Sequence, residues 1–485
     1  MKNNEFEFIK EKFNNSQVDI PKGLETEAIK EKILLNQKHN TIKFENHNNN
    51  HRITQIVAFA ACFALIIIAS AIFYPKSDVN NFKSYDELNR LLSQSTPPEM
   101  GCYSGGAIKG LDDADEPYSV MSDGDYIYYA YSNSNYEYNS SNNSYGKNII
   151  YIYKAEDENA TLINTINNVF PDDYNLYDLY VKNGRLVVCA DNYSTGLTET
   201  KVFDVSDPSD PKIISDTEQS GSKLRSFFVG NTAYIFTSFT VTDTKNAVPV
   251  YIQSGETKII DSHDIYYFDN TKSSQYIVVT AIDIQSANML KDIKAVFGAG
   301  YLIDCVGNDV FISENDESKD IIKISMNGKD IRLHSAEINE IPRFDTNENL
   351  VEVSENKYLS INFEDADSGN IATLYEAVNG QLKELDRIEL KNVYANAADN
   401  YNDIIACDGY YLLPCYFSTP EKRVYGAITI EITNDKINIT NEFKNEDKDA
   451  MYQGDSVAIN NYIYSFNIND FQPDDKKLKV FGYKY

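Results

Sequence analysis

The sequence predicts an all-β protein, a β-propeller of about seven blades that follows one long apolar run. Three observations predict it. From about residue 106 onward the pattern has period two, with short Tyr-, Val- and Ile-rich stretches separated by Asp-Gly, Asn-Gly and Asn-Asn turns. The turn positions Gly124, Gly184, Gly230, Asn308, Asn356, Gly409 and Asn460 recur at intervals of 60, 46, 78, 48, 53 and 51 residues. Each turn is followed by a further strand pair, such as KNIIYIYKA or TKVFDVSDP, so each interval holds roughly four strands, the content of one blade. A series of β-sandwiches is the alternative, but no Gly-, Ser- or Pro-rich linker divides the region.

Residues 1–52 read as a short tail with helical segments. Phe6, Ile9 and Phe13 repeat at helical spacing, Asp19 to Gly23 interrupts, and Leu24, Ala28, Ile29 and Ile33 then share a second face. The polar stretch from His39 to His51 reads as a linker. Residues 53–74, ITQIVAFAACFALIIIASAIFY, contain no charge. At about 1.5 Å per residue they match a hydrocarbon core of roughly 30 Å, which predicts a transmembrane helix. The run starts too far into the chain, and is too long, for a cleaved signal peptide, so it reads as a signal anchor. Residues 75–105 form a linker containing a helix over 84–95. Its start is marked by the capping-box spacing Ser84 to Glu87, its apolar face by Leu88, Leu91 and Leu92, and its end by Pro97 and Pro98. Residues 106–485 form the propeller domain. In its longest interval, around 245–272, the stretch VYIQSGETKIIDS predicts an additional hairpin.

Charge sharpens this division. The 485 residues carry 44 Lys and Arg against 73 Asp and Glu, a net of −29. The tail is close to neutral, so almost all of the acidity belongs to the region after the apolar run. That distribution places the tail in the cytoplasm and the acidic domain outside the cell, in a single-pass membrane protein. Clustered cations, which phosphate binding needs, are missing, and this argues against a nucleic-acid partner. A hydrophobic fraction of 42% excludes disorder along the whole length. Five cysteines follow the apolar run, with no metal-cage or disulfide-framework spacing. Cys189 and Cys305 sit in apolar strand patterns that favour buried thiols. Cys407 and Cys415 flank a turn too asymmetrically for direct cross-strand pairing, although one disulfide elsewhere stays open.

Several segments resemble bacterial secreted or membrane-anchored proteins with a C-terminal β-propeller domain. GLDDADEPYSVMSDGDYIYY is similar to that family's opening pattern, G-V-D-E-A-D-I-V-K-T-D-G-x-Y-I-Y. The match is carried by Gly110, Leu111, Asp112, Ala114, Asp115, Asp123, Gly124, Tyr126, Ile127 and Tyr128. Asp113 replaces the glutamate and Pro117 interrupts the middle. VFDVSDPSDPKII with GSKLRSFFVGNTAYIFTS resembles a second block, and IVVTAIDIQSANM a third. The resemblance spans about Phe82 to Asn315. It implies a seven- or eight-bladed fold and a cell-surface location, and it implies no established reaction.

Candidate functional residues are few. Asp112, Asp113, Asp115 and Glu116 form the densest acidic group undiluted by lysine. They read either as a Ca²⁺ site, since hard cations take carboxylate oxygens, or as a structural turn. No other cofactor is expected. The stretch Ser132 to Gly146 brings Tyr136, Tyr138 and Tyr145 close to Tyr131. These tyrosines read either as a surface that stacks on sugars or peptides, or as a solvated loop. Only His263 and His334 lie in the propeller region, neither beside a nucleophile motif, and there is no P-loop or dinucleotide fingerprint. The expectation is therefore a non-enzymatic binding or scaffold module for an extracellular protein, peptide or cell-wall glycan. The alternatives are a signalling regulator whose tail holds a cytoplasmic partner, as in a membrane-bound anti-sigma factor, or a propeller-based hydrolase.

Overall fold

In the computed structural model the residues described are 79–96, 103–104, 120–132, 148–171, 174–192, 194–242, 247–286, 289–315, 318–337, 349–354, 357–363, 370–378, 381–391, 393–394, 404–407, 409–418, 423–444, 456–466 and 480–484. All of them fall within one compact unit, Lys76–Tyr485.

The chain enters through helix α1 (Tyr85–Leu92) and the short strand β1 (Tyr103–Ser104). Sheet 1 is a meander of β2 (Val120–Asp123), β3 (Tyr126–Ser132), β4 (Asn148–Glu156) and β5 (Asn159–Ile166). Sheet 2 continues with β6 (Tyr174–Lys182), β7 (Arg185–Asn192), β8 (Leu197–Asp204) and β9 (Lys212–Ser220). Sheet 3 contains β10 (Ser222–Val229), β11 (Thr232–Thr240), β14 (Ile265–Tyr267), β15 (Gln275–Asp283) and β16 (Leu290–Phe297). The stretch between β11 and β14 forms the expected extra hairpin, β12 (Val250–Gln253) and β13 (Glu256–Ile259), which pairs with β9 and widens sheet 2 to six strands. Sheet 4 comprises β17 (Tyr301–Val306), β18 (Asp309–Ser313), β19 (Ile321–Met326) and β20 (Ile331–Ala336), with β1 added parallel to β17. Sheet 5 holds β21 (Asn349–Ser354), β22 (Lys357–Phe363), β23 (Asn370–Val378) and β24 (Gln381–Leu390). Sheet 6 holds β25 (Val393–Tyr394), β26 (Ile405–Cys407), β27 (Tyr410–Ser418), β28 (Arg423–Thr433) and β29 (Lys436–Lys444). A last sheet has three strands, β30 (Ser456–Ile459), β31 (Tyr462–Phe466) and β32 (Val480–Lys484).

The all-β propeller expectation holds, and two details of it are corrected. Counting turns finds the hairpin that opens each sheet, and the last hairpin, at Asn460, opens a sheet of only three strands. Among the described residues six sheets carry the four or more strands of a full blade, so the fold is six-bladed rather than seven-bladed. The transmembrane helix is the second correction: among the described residues no helix is long and apolar enough to cross a membrane. The apolar run 53–74 and the tail 1–52 lie outside the described residues.

Alternation along each strand explains the packing, because successive side chains enter opposite seams. One face of sheet 1 (Tyr128, Ala130, Ile150 and Ile152) packs with Leu179, Leu186, Val188 and Ala190 of sheet 2. Its other face (Ile127, Tyr129 and Tyr153) packs with Val457, Ile459 and Tyr464 of the last sheet. Sheets 3 and 4 share the largest cluster, around Phe227, Phe236, Ile312 and Ile324. The link from sheet 2 to sheet 3 is the single residue Gly221 at φ +99°, where a Cβ would sit 2.4 Å from the Ser238 carbonyl oxygen, so only glycine fits.

A second repeat is visible only in the register. In sheets 1, 2, 3, 5 and 6 the last strand of the meander contains one extra residue at an equivalent place: Ile163, Ile214, Lys291, Leu385 and Thr440. In three of these sheets the next residue reaches the following sheet. Asn164 Nδ2 donates to the Ser209 carbonyl at 2.9 Å, Asp292 Oδ2 accepts the Ile331 N–H at 2.9 Å, and Asp386 Oδ2 accepts the Ile437 N–H at 2.9 Å. The bulge turns a short polar side chain toward the neighbouring outer hairpin, where it bonds a backbone group.

The segment before the propeller is bound to sheet 3. Ser84 Oγ accepts the Glu87 N–H at 3.3 Å as the capping box predicts, while Glu87 Oε2 accepts the N–H of Lys83 at 2.9 Å instead of that of Ser84. The helix ends at Leu92, three residues earlier than expected. Phe82, Leu88 and Leu92 are buried against Ile265, Tyr276 and Phe297. Phe82 N–H donates to the Ile265 carbonyl and Ser274 N–H to that of Thr96, at 3.0 and 2.9 Å. Cys189, Cys305 and Cys415 are buried, and Cys415 lies opposite Gly426 in the sheet.

Candidate functional site

Asp123 Oδ2, at the β2–β3 turn, accepts the Gly184 N–H of the β6–β7 turn at 2.6 Å, so these two turns lie at the same end of sheets 1 and 2. In antiparallel meanders the opposite end must then carry the β3–β4 connection, the sheet 1–sheet 2 link after β5, and the β7–β8 hairpin. Two clusters of chemically capable side chains approach that end.

The first lies on the sheet 1 side of sheet 2. Register places Glu199 opposite Ala190 on one strand and Glu218 on the other, and places Lys201 opposite Val188 and Asp216. Opposed residues share a face, and Val188 and Ala190 belong to the seam with sheet 1. Register therefore gathers three carboxyl groups and one ammonium on one face, with Glu199 the carboxylate paired to Lys201. Lys201 Nζ is 2.9 Å from Glu199 Oε1, donates to the Val169 carbonyl at 2.9 Å, and lies 4.7 Å from the centre of the Phe170 ring. The Phe170 and Tyr174 rings stack at 5.6 Å. The Tyr174 hydroxyl accepts Asn192 Nδ2 at 2.8 Å and donates to Glu199, and burial pushes its pKa well above the usual phenol range. Glu199 is 7% exposed, whereas Asp216 is exposed to solvent. Loss of water around Asp216, then the Glu199 charge and a hydrogen bond to Glu199, push the Asp216 pKa up to about 7. The same two influences, loss of water and the Glu199 charge, raise that of Glu218.

The second cluster is aromatic and lies on the other face of sheet 1. Tyr129 and Tyr151 stack at 6.4 Å, Tyr131 lies 6.3 Å from Tyr151, and Tyr151 lies 6.3 Å from Tyr153. Tyr129 and Tyr153 are buried, while Tyr131 and Tyr151 are half-buried. Tyr464 of the last sheet donates its hydroxyl to the Asp157 carbonyl at 2.8 Å, and burial followed by the Asp157 charge pushes its pKa up to about 12.

Of the residues singled out in the sequence, Tyr131 is therefore placed in β3, next to the connection that starts at residue 133. Tyr136, Tyr138 and Tyr145, and the acidic group Asp112, Asp113, Asp115 and Glu116, lie outside the described residues. Among the described residues no group of three or more His, Cys, Asp or Glu side chains is arranged to hold a metal ion. His263 is exposed on a single 3₁₀ turn, with Nδ1 2.9 Å from Asp261 Oδ1, whereas His334 lies in β20 of sheet 4 opposite Lys323. The cluster of Glu199, Lys201, Asp216 and Glu218 was not recognised in the sequence. Its signal was present, because i, i+2 pairs in two adjacent strands put Glu and Lys on one face opposite Asp and Glu. The pairing register needed to find it is not written in either strand alone.

The strand order and the chain of sheet-to-sheet seams define a β-propeller protein. The family description "Beta propeller domain" matches residues 110–389, more than half of the sequence, and the chain belongs to this family. No curated protein matches it. Solved structures that are similar to it include an acylaminoacyl peptidase from Pyrococcus horikoshii, at 11% identity and TM-score 0.33, covering 73% of this chain and 57% of that one. The NanB sialidase from Streptococcus pneumoniae is similar at 9% identity and TM-score 0.32, covering 77% and 68%. The β-propeller domain of the Trilobed protease from Pyrococcus furiosus is similar at 9% identity and TM-score 0.24, covering 70% and 98%. Likenesses this distant bear on none of the functional readings.

Proposed function

We propose that this propeller is a non-catalytic recognition module, and that the end of sheets 1 and 2 bearing the β3–β4 connection is its binding face, presented to a protein, peptide or cell-wall glycan outside the cell. One observation carries the reading: Tyr131 and Tyr151 stand half-buried and adjacent beside the strand ends that lead into a polar, tyrosine-bearing connection. Half-buried tyrosines offer a rigid apolar face and a polar tip, which suits stacking on sugar rings or peptide planes at low entropic cost. A hydrolytic role has less support. Glu199 is almost fully enclosed and its Oε1 is already paired with Lys201, which leaves little room for a substrate.

The test is binding of the purified protein to cell-wall glycan preparations and peptide libraries, with Tyr131→Ala and Tyr151→Ala as variants. The reading predicts at least a tenfold loss of affinity in each variant at an unchanged melting temperature. Undiminished binding in the double variant would sink it.

A further inference from the structure

We propose that the carboxyl groups of Glu199, Asp216 and Glu218, gathered around Lys201, form a proton-dependent latch that holds the seam between sheets 1 and 2 tighter at acidic than at alkaline pH. The argument begins with register. Glu199 and Glu218 are directly opposed on β8 and β9, a like-charge pair that destabilises a sheet when both groups are ionised. Lys201, the one ammonium within the cluster, is opposed to Asp216 but has its own bonds to Glu199 and to the Val169 carbonyl. One cation therefore serves three anions. A hydrogen bond between two carboxyl groups requires that one of them be protonated, because ionised carboxylates only accept. Asp216 is the group placed to hold that proton, since it neighbours the Glu199 charge and is exposed to solvent for exchange.

The groups facing this pair are few. Strand β6 contributes Tyr174, bonded to Glu199, and β7 contributes Asn192, Ala190 and Val188. The added strand β12 places Ile252 opposite Glu218. The sheet 1–sheet 2 link contributes Val169 and Phe170, and Asp172 and Asp173 of the same link lie outside the described residues. Partly buried Ile166 approaches from sheet 1. Among the described residues no second cation is paired with this group of carboxylates, so when Asp216 loses its proton its negative charge faces Glu199 and Glu218. Lys201 also ties the link to β8, which makes the link the place where the repulsion is felt. The sign follows from linkage. Asp216 titrates near 7 in the folded state and near 3.9 when unfolded. Its contribution is present at low pH, is lost progressively as pH rises from about 4 to 7, and stays lost above that range.

The experiment compares the parent protein with Asp216→Asn, which keeps the shape and removes the titration, across pH 5 to 8. The melting-temperature advantage of the variant over the parent should grow by on the order of a few degrees from pH 5 to pH 8. Hydrogen exchange, corrected for its intrinsic pH dependence, should lose protection at the Val169 and Tyr174 amides of the parent as pH rises, but not in the variant. Glu218→Gln, which relieves the same crowding two residues along β9, should lower the pH at which the change occurs. Parallel pH profiles in the parent and Asp216→Asn, or equal protection of these amides at both ends of the range, would overturn the latch.

Discussion

Sheet 1 has two neighbours, and its two faces meet them by different physics. Toward the last sheet it presents Tyr129, Tyr153, Tyr131 and Tyr151, and the seam is completed by Tyr464 and small aliphatic residues. Toward sheet 2 it presents Tyr128, Ala130, Ile150 and Ile152, and near the loop-bearing end this apolar seam gives way to carboxylates, a lysine and a tyrosine. The first seam is held by buried area, with the Tyr464 hydroxyl bonded to backbone, so its strength is insensitive to pH below the phenol range. The second contains a charge imbalance, so its strength depends on how many protons it holds. One strand supplies both faces, because successive residues point to opposite sides.

Four expected outcomes break or sharpen that contrast. The largest is Tyr464→Ala, which empties a fully buried aromatic site in the tyrosine seam. It should cost about 3–5 kcal/mol in urea unfolding, by the same amount at pH 5 and at pH 8. Lys201→Met comes next. It removes the one cation from the cluster and should cost about 3 kcal/mol at pH 8. Its cost should be smaller at pH 5, where Asp216 is protonated, and equal costs at the two values would remove the electrostatic distinction between the seams. Tyr464→Phe keeps the ring and loses only the bond to the Asp157 carbonyl, so about 1 kcal/mol is expected from denaturant midpoints. The smallest effect on stability belongs to Tyr131→Ala, at less than about 1 kcal/mol because the ring is only half-buried. Its consequence should appear instead in ligand binding.

Much of the fold is legible in the residues. Asp-Gly and Asn-Asn turns mark the opening hairpins, and Gly124 and Gly184 adopt positive φ there. Ser84 and Glu87 predict the start of α1, and the β12–β13 hairpin follows from VYIQSGETKI with its Ser254-Gly255 turn at positive φ. The helix end is less legible, since Leu92 is the last residue whose burial against sheet 3 supports the helix. The sheet that the inserted hairpin joins is not legible at all. By sequence it interrupts sheet 3, yet it pairs with β9 of sheet 2, because that free edge is the surface within reach. The candidate site divides in the same way. Tyr131 is recognisable from its neighbourhood of tyrosines, whereas Glu199, Lys201, Asp216 and Glu218 look like ordinary alternating polar residues until β8 and β9 are paired.

The sequence by itself determined that this protein is built from repeated antiparallel hairpins, where its turns fall, and that its acidity belongs to the part after the apolar run. Those properties are local: turn chemistry and period-two alternation act over a few residues, and net charge needs no coordinates. Tertiary structure alone decided how many sheets are full blades, which sheet captures the inserted hairpin, where the bulges send Asn164, Asp292 and Asp386, and that three carboxyl groups and one lysine meet on one face. Those outcomes depend on register between strands and contact between sheets. A one-residue slip would turn Glu199 and Lys201 to the opposite seam without altering a single local preference.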